Sequence, residues 1–268
     1  MTSVQTEAAS GVPTNHNRSR VRRWVRAGFL LWAVVSTSWL ANSIRTQGVD
    51  DRMLQSSAAV TVAGDAATLS FVPTSALDST ALIFICGSGI AAEAYAPLVH
   101  PIAAAGYPVF VIKLPYRFAP LESHRLAALA RVRDVIAAHP AMSHWVASGH
   151  SLGGALAARL ARAGAPRLSA LVLIGTTHPK EEDLSSLQMP VTKVYGSNDG
   201  VAPPDRVRAN QKLLPPGTTW IEIPGGNHSQ FGRYGHQLFD GAATISREQQ
   251  ESITRSAILE ALRGVSKS

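Results

Sequence analysis

At 268 residues, 46% of them hydrophobic and 16% charged, the chain excludes wholesale disorder and is long enough for one large α/β domain with a short extra segment. Its net charge of +7 is not a nucleic-acid signal: Arg18, Arg20, Arg22, Arg23 and Arg26 against Glu7 alone concentrate the excess in residues 1–26, and the remainder is close to neutral. One cysteine, Cys86, rules out an intramolecular disulfide and a Cys-based metal site. The nine histidines show no H-E-x-x-H or similar ligand spacing, so neither a metal nor an organic cofactor is expected.

Residues 27–44 read AGFLLWAVVSTSWLANSI, with no charge. As a helix they reach roughly 27 Å, just short of a hydrocarbon core. Arginines directly before an apolar run favour a signal anchor that holds the chain to the lipid bilayer, with the body outside the cytoplasm. A cleavable export signal, with small residues at Ala41-Asn42-Ser43, and a packed helix on a cytosolic protein are the alternatives. Residues 45–57 read as a polar linker, so that 1–57 form the tail, anchor and linker and 58–268 the catalytic domain.

From residue 58 onward, short β-branched runs alternate with Ala/Leu-rich stretches. Strands are predicted at 58–63, 68–72, 81–86, 108–113, 144–148, 170–175, 191–196 and 218–223. The middle ones are almost continuously apolar (ALIFIC, VFVIKL, ALVLIG), as in a parallel sheet buried on both faces. Helices are predicted at 93–105, 121–138, 151–163, 204–213 and 246–263, the last with Ser246 and Gln249 spaced as a capping box. The pattern predicts an α/β fold with a mostly parallel eight-stranded sheet and helices on both faces.

The chemistry centres on Gly149-His150-Ser151-Leu152-Gly153. An apolar strand before it and an Ala-rich helix after it are the context in which G-x-S-x-G lifts a serine onto a sharp strand-to-helix turn, with Ser151 as nucleophile. A serine hydroxyl needs a base. His228, in the glycine-flanked loop after the last strand, is the candidate, with His236 as the alternative. Asp199 follows the strand 191–196, where ligand sites of parallel sheets lie, and would orient the histidine; Asp205 is its competitor. The oxyanion hole would take the backbone N–H of Leu152 and one from the loop after 81–86, either Ser88 or Gly89. Tyr95, Phe118, Thr176, His178 and Phe231 are candidates to line the pocket. Only residues 176–190 separate two strands where this architecture can carry a lid, which is too short for a large helical cap.

Together these segments resemble the α/β-hydrolase superfamily, and more narrowly its dienelactone-hydrolase-like, fold-5 type branch of small bacterial hydrolases. The likeness rests on Ala94-Tyr95-Ala96-Pro97, GHSLGGA, YGSNDG, GGNHSQFGRYG and DGAATISREQQ in their expected relative places, and spans roughly residues 58–262. It implies hydrolysis of a carboxylic ester or related acyl compound, a small-molecule substrate, and catalytic roles for Ser151, Asp199 and His228. Dienelactone hydrolases proper carry cysteine where this chain has Ser151, so their substrate is not implied. A thioesterase or lipase-like activity on the same three residues, and a non-catalytic membrane-tethered binding protein, are the competing readings.

Overall fold

The computed structural model describes residues 16–75 and 78–267. It divides into two compact units between Asn42 and Ser43. The first is helical: α1 runs His16–Ile44, longer than the apolar stretch alone. Within it Arg20–Ile44 is long and apolar enough to cross a membrane, at about 38 Å for its 25 residues. Its large apolar side chains, among them Trp24, Phe29, Leu30 and Trp32, are exposed.

The second unit is built on one eight-stranded sheet. Its strands are β1 (Val60–Gly64), β2 (Thr68–Pro73), β3 (Thr80–Ile85), β4 (Val109–Ile112), β5 (His144–His150), β6 (Leu168–Ile174), β7 (Val191–Gly196) and β8 (Thr219–Ile223). Their spatial order is β1-β2-β4-β3-β5-β6-β7-β8. β2 pairs antiparallel with both β1 and β4, and every later pairing is parallel. The continuous apolar runs follow from this: β3 and β4 are buried at every position, because each has a neighbour on both sides and helices on both faces.

The helices are α2 (Ala96–Ala104), α3 (Glu122–Ala138), α4 (Leu152–Arg162), α5 (Pro204–Ala209) and α6 (Arg247–Ser266). α6 lies across β3, β5 and β6 with α2 beside it, and α3 and α4 pack together on the other face. α6 opens with the expected capping box: Gln249 N–H donates to Ser246 Oγ, and Ser246 N–H donates to Gln249 Oε1. Two expectations change in detail. The stretch 93–105 begins as a 3₁₀ turn, Ala92–Tyr95, before Pro97 enters the first turn of α2. The stretch 204–213 breaks at Asn210, whose side chain leaves the helix to donate to Thr177 O.

Residues 45–57, expected as a linker, are packed onto the body. Thr46 bridges Tyr234, Gln47 N–H donates to Arg233 O, and Asp51–Leu54 form a 3₁₀ turn capped by Asp50. Nothing in their polar composition announces this, because the pairing partner lies nearly 190 residues away.

β7 carries one residue that breaks the apolar pattern. Lys193 is fully buried, and its ammonium donates to the carbonyl of His178, tying the loop between β6 and β7 to the sheet. Burial pushes its pKa from 10.5 down to about 7. The unfolded chain therefore binds more protons than the folded one between those two values. The cost of burying Lys193 is full below pH 7 and is relieved as pH rises. Relative to Lys193→Met, the native protein should gain about 3 kcal/mol of stability between pH 6 and pH 9. Urea unfolding of both proteins at the two pH values measures this, and a pH-independent difference would contradict it.

Candidate active site

Ser151 sits between β5 and α4 with φ 54° and ψ −117°, a conformation that a non-glycine residue adopts only when its surroundings impose it. Those surroundings are backbone. A methyl at Gly153 would lie 2.0 Å from Ile85 O at the end of β3, and one at Gly149 would lie 2.3 Å from the Gly153 carbonyl carbon. Two glycines flanking the serine thus let the turn close and let α4 begin directly against β3. The first turn of α4 points its free N–H groups towards the half-buried serine, where they favour negative charge.

Asp199 and His228 meet from the ends of β7 and β8. Asp199 Oδ1 accepts the N–H groups of Val201 and Ala202, at 2.9 and 2.6 Å, so the carboxylate is held by its own turn. Its other oxygen, Oδ2, is 2.8 Å from His228 Nδ1, and both side chains are buried. A carboxylate can only accept, so Nδ1 carries the proton and Nε2 is left with its lone pair. Among the described residues, Nε2 is buried and finds no hydrogen-bond partner. The competing residues lie outside this cluster: His236 is exposed, and Asp205 is exposed in the first turn of α5.

The loop that carries His228 is held by residues further along the chain. Asp240 accepts from the N–H groups of His228 and Ser229 and from Ser229 Oγ, and also from Gly200 N–H beside Asp199. Gln250, fully buried on α6, accepts from Asn227 N–H and donates to Asn227 O. Arg247 reaches the carbonyls of Ser229, Gly232 and Tyr234. Sequence reasoning assigned none of these a role, although all three fall in the DGAATISREQQ stretch; the hint was that stretch's polarity at positions flanking a buried helix.

A second imidazole lies beside the first. His150 and His228 have ring centroids 4.5 Å apart. Burial, and then the nearness of His228, push the His150 pKa well below its usual value, so the ring is neutral. The Tyr95 hydroxyl accepts from Gly87 N–H at 3.0 Å and lies at hydrogen-bond distance, 2.9 Å, from His150 Nδ1.

The other expected site residues fall into two groups. Tyr95 and Phe231 are fully buried and pack around His150, and so form the underside of the site instead of an open wall. Thr176 is also buried, and its Oγ1 accepts from His178 N–H. Phe118 is partly exposed and covers Gly89. His178 lines a groove of about 550 Å³ that starts at Leu152 and runs along α4 past Glu122, Arg125, Arg159 and Lys180. Burial and then Lys180 push its pKa down to about 4, which keeps it neutral. Of the two candidate donors after β3, Gly89 spends its N–H on Arg117 O at 2.9 Å, whereas the Ser88 N–H has no acceptor among the described residues. Cys86 is buried at the strand end, and burial drives its thiol pKa up, away from reactivity.

The fold has many relatives. A crystal structure of an α/β-hydrolase from the metagenome of Mar Chica lagoon sediments matches with a TM-score of 0.51 at 18% identity, covering 63% of this chain and 89% of its own. A dienelactone hydrolase-like promiscuous phosphotriesterase from metagenomic libraries matches with a TM-score of 0.56 at 14% identity, over 74% and 91% of the two chains. A ferulic acid esterase from Streptomyces cinnamoneus matches with a TM-score of 0.55 at 20% identity, over 72% and 69%. Comparison with curated protein sequences gives no match. The model of the alpha/beta hydrolase family matches residues 81–252, the span from β3 to the first turns of α6 that holds Ser151, Asp199 and His228. The eight-stranded, mostly parallel sheet, the strand-to-helix turn at Ser151 and this match together make the chain a hydrolase of the α/β-hydrolase family.

Proposed function

We propose that the protein is a serine hydrolase that cleaves a carboxylic ester through an acyl-enzyme. The observation that carries this reading is the pairing of a forced serine turn with a buried histidine whose Nδ1 is fixed by Asp199 and whose Nε2 is unpaired among the described residues. In the first half-reaction, His228 Nε2 takes the Ser151 hydroxyl proton as Oγ bonds to the acyl carbon. The carbonyl oxygen becomes an oxyanion held by the N–H groups of Leu152 and Ser88. As the C–O bond breaks, His228 gives the proton to the leaving alcohol. Water then repeats the sequence, and the acid leaves with Ser151 restored. Asp199 keeps the imidazole in its working tautomer and stabilises the imidazolium.

α1 serves as an uncleaved anchor in this reading, with the arginines on the cytoplasmic side and the catalytic body outside. Its support is the length and apolar composition of Arg20–Ile44 and the charge asymmetry before it.

A fluorescent fluorophosphonate should label Ser151 in the full chain. Ser151→Ala should abolish labelling, and His228→Ala or Asp199→Asn should lower ester turnover by roughly a thousandfold or more while the fold persists. Labelling that survives Ser151→Ala would remove the catalytic reading. A separate expectation concerns Asp240, which holds the histidine loop without touching substrate. Asp240→Asn should lower kcat on a soluble ester by about 10–100-fold with KM within about twofold, because the base is displaced while binding is not. An unchanged kcat in a folded Asp240→Asn protein would show that Gln250 and Arg247 suffice to hold the loop.

A further inference from the structure

The body buries its apolar residues well, and its few exposed large ones are not scattered. Of the seven among the described residues after Ile44, five fall in two short loops: Tyr116, Phe118 and Leu121 after β4, and Leu238 and Phe239 after β8. Tyr116 is 77% exposed and Phe239 is 82% exposed. Both loops leave the same edge of the sheet, the C-terminal ends of the parallel strands, where Ser151, Asp199 and His228 also lie. They are joined directly to the chemistry. In the first loop, Phe118 O accepts from Ser88 Oγ and Arg117 O accepts from Gly89 N–H. In the second, Phe239 precedes Asp240, which holds His228.

The backbone holds these side chains outward on purpose-built turns. Tyr116, Arg117 and Ala119 have φ of 52°, 65° and 45°, and Phe239 has φ of 68°. These are left-handed values at residues that disfavour them, aromatic ones included. A loop serving only to connect strands would place glycine or asparagine there. Two rings kept in strained backbone and largely in water mark a surface that meets something apolar.

The covalent path of the chain identifies what that is. The apolar segment 27–44 delivers the chain to the body at Ile44, which touches the first loop, and the residues just after it pair with Arg233 and Tyr234, a few residues before Leu238. Arg117 donates to Ile44 O at 2.6 Å from the first loop. Immediately after, Gln47 N–H donates to Arg233 O and Thr46 bridges Tyr234, whose hydroxyl donates to His228 O. A body tethered through Ile44 to a membrane-spanning segment keeps its point of attachment at the lipid surface. The rim flanking that point is therefore the part of the body nearest to lipid. Tyr116, an aromatic side chain with one polar end, suits that interfacial zone, and the wholly apolar Phe118, Leu238 and Phe239 suit the lipid beside it.

We infer that the Tyr116–Phe118 and Leu238–Phe239 loops form a membrane-facing rim around the active-site mouth, so that the substrate is an acyl ester of an amphiphile drawn from the bilayer to which the enzyme is anchored. This rests on the serine-hydrolase and anchor readings proposed above. It adds the direction in which the site opens and the physical state of its substrate. The rim residues lower the cost of bringing an ester bond out of the headgroup region to Ser151, and they take no part in the bond making itself.

The test uses the full chain reconstituted in phosphatidylcholine vesicles, with two substrates: water-soluble p-nitrophenyl acetate and a fluorogenic long-chain acyl ester dissolved in the vesicles. The Tyr116→Ser/Phe239→Ser protein should hydrolyse the soluble ester within about twofold of the native rate and lose about tenfold or more on the vesicle-borne ester. Ile253→Ser, which changes an exposed apolar residue on α6, should alter neither rate. An environment-sensitive fluorophore on Phe239→Cys should report a lipid environment, and the same label on Ile253→Cys an aqueous one. Equal rates for native and rim-variant protein on the vesicle ester, or an aqueous signal at position 239, would overturn the inference. So would a shielded signal at 239 that appears without vesicles and grows with protein concentration, since that identifies a second copy of the chain as the occupant. If fluorophosphonate labelling and soluble-ester turnover are intact, any of these outcomes leaves the serine-hydrolase reading standing. If both are absent, the fluorophore still decides where the rim lies.

Discussion

The site depends first on clearance. At the junction of β5 and α4, the turn that bears Ser151 approaches the end of β3 so closely that Gly153 has no room for a methyl group, and folds onto itself so tightly that Gly149 has none against the backbone of Gly153. With that approach, the helix N-terminus, the serine and the loop after β3 come together, as the proposed mechanism needs if N–H groups from two different elements are to hold one acyl oxygen. A side chain at Gly153 would meet the backbone of β3, which is pinned by hydrogen bonds to β4 and β5 and cannot retreat. The strain at Ser151 is therefore sustained by the most rigid part of the molecule, the all-buried centre of the sheet.

The histidine is positioned by a different kind of constraint, long-range and polar. β8 ends at Ile223, and His228 lies five residues later in a loop with two glycines. Such a loop has no intrinsic reason to hold one conformation. Asp240 fastens its peptide N–H groups, Gln250 fastens Asn227, and Arg247 gathers three carbonyls on the far side. Each of these groups is partly or fully removed from water. The hydrogen bonds are made to charged partners or in low dielectric, where they resist exchange with solvent. Asp240 also binds Gly200 N–H, next to Asp199, so one carboxylate ties together the turns bearing Asp199 and His228.

Most of the architecture was legible because it is encoded locally. Continuous apolar runs such as ALIFI mark strands buried on both faces, and the small residues around Ser151 mark a turn that only small residues can make. Asp199 and His228 could be named from chain order relative to those strands. What stayed hidden was set by partners far along the chain. Gln250 reads as an ordinary polar residue in the first turn of a helix, yet it is fully buried because its amide replaces a strand partner for Asn227. Lys193 sits in a strand pattern that leaves its face undecided, and only the carbonyl of His178 makes its burial tolerable. Residues 45–57 look like a linker because their pairing with Arg233 and Tyr234 has no periodicity to read. Gly89 and Ser88 were equivalent on the page of the sequence. They differ because the loop after β4 turns back and consumes the Gly89 N–H.

The paired imidazoles bear on how the proposed mechanism could place a positive charge in a site stripped of water. In that mechanism His228 would become an imidazolium 4.5 Å from the ring of His150. Two protonated rings at that separation in a dry pocket would repel each other strongly. The structure avoids this by committing His150 to neutrality. Burial and the nearness of His228 hold that ring neutral, and its Nδ1 is hydrogen-bonded to the Tyr95 hydroxyl, which also accepts the Gly87 N–H. Burial holds Tyr95 itself in the protonated form. In the proposed mechanism a charge on His228 would face a neutral ring on one side and Asp199 on the other. The same Tyr95 hydroxyl also engages the Gly87 N–H, so one buried phenol bears both on the ring beside His228 and on which N–H groups after β3 remain free.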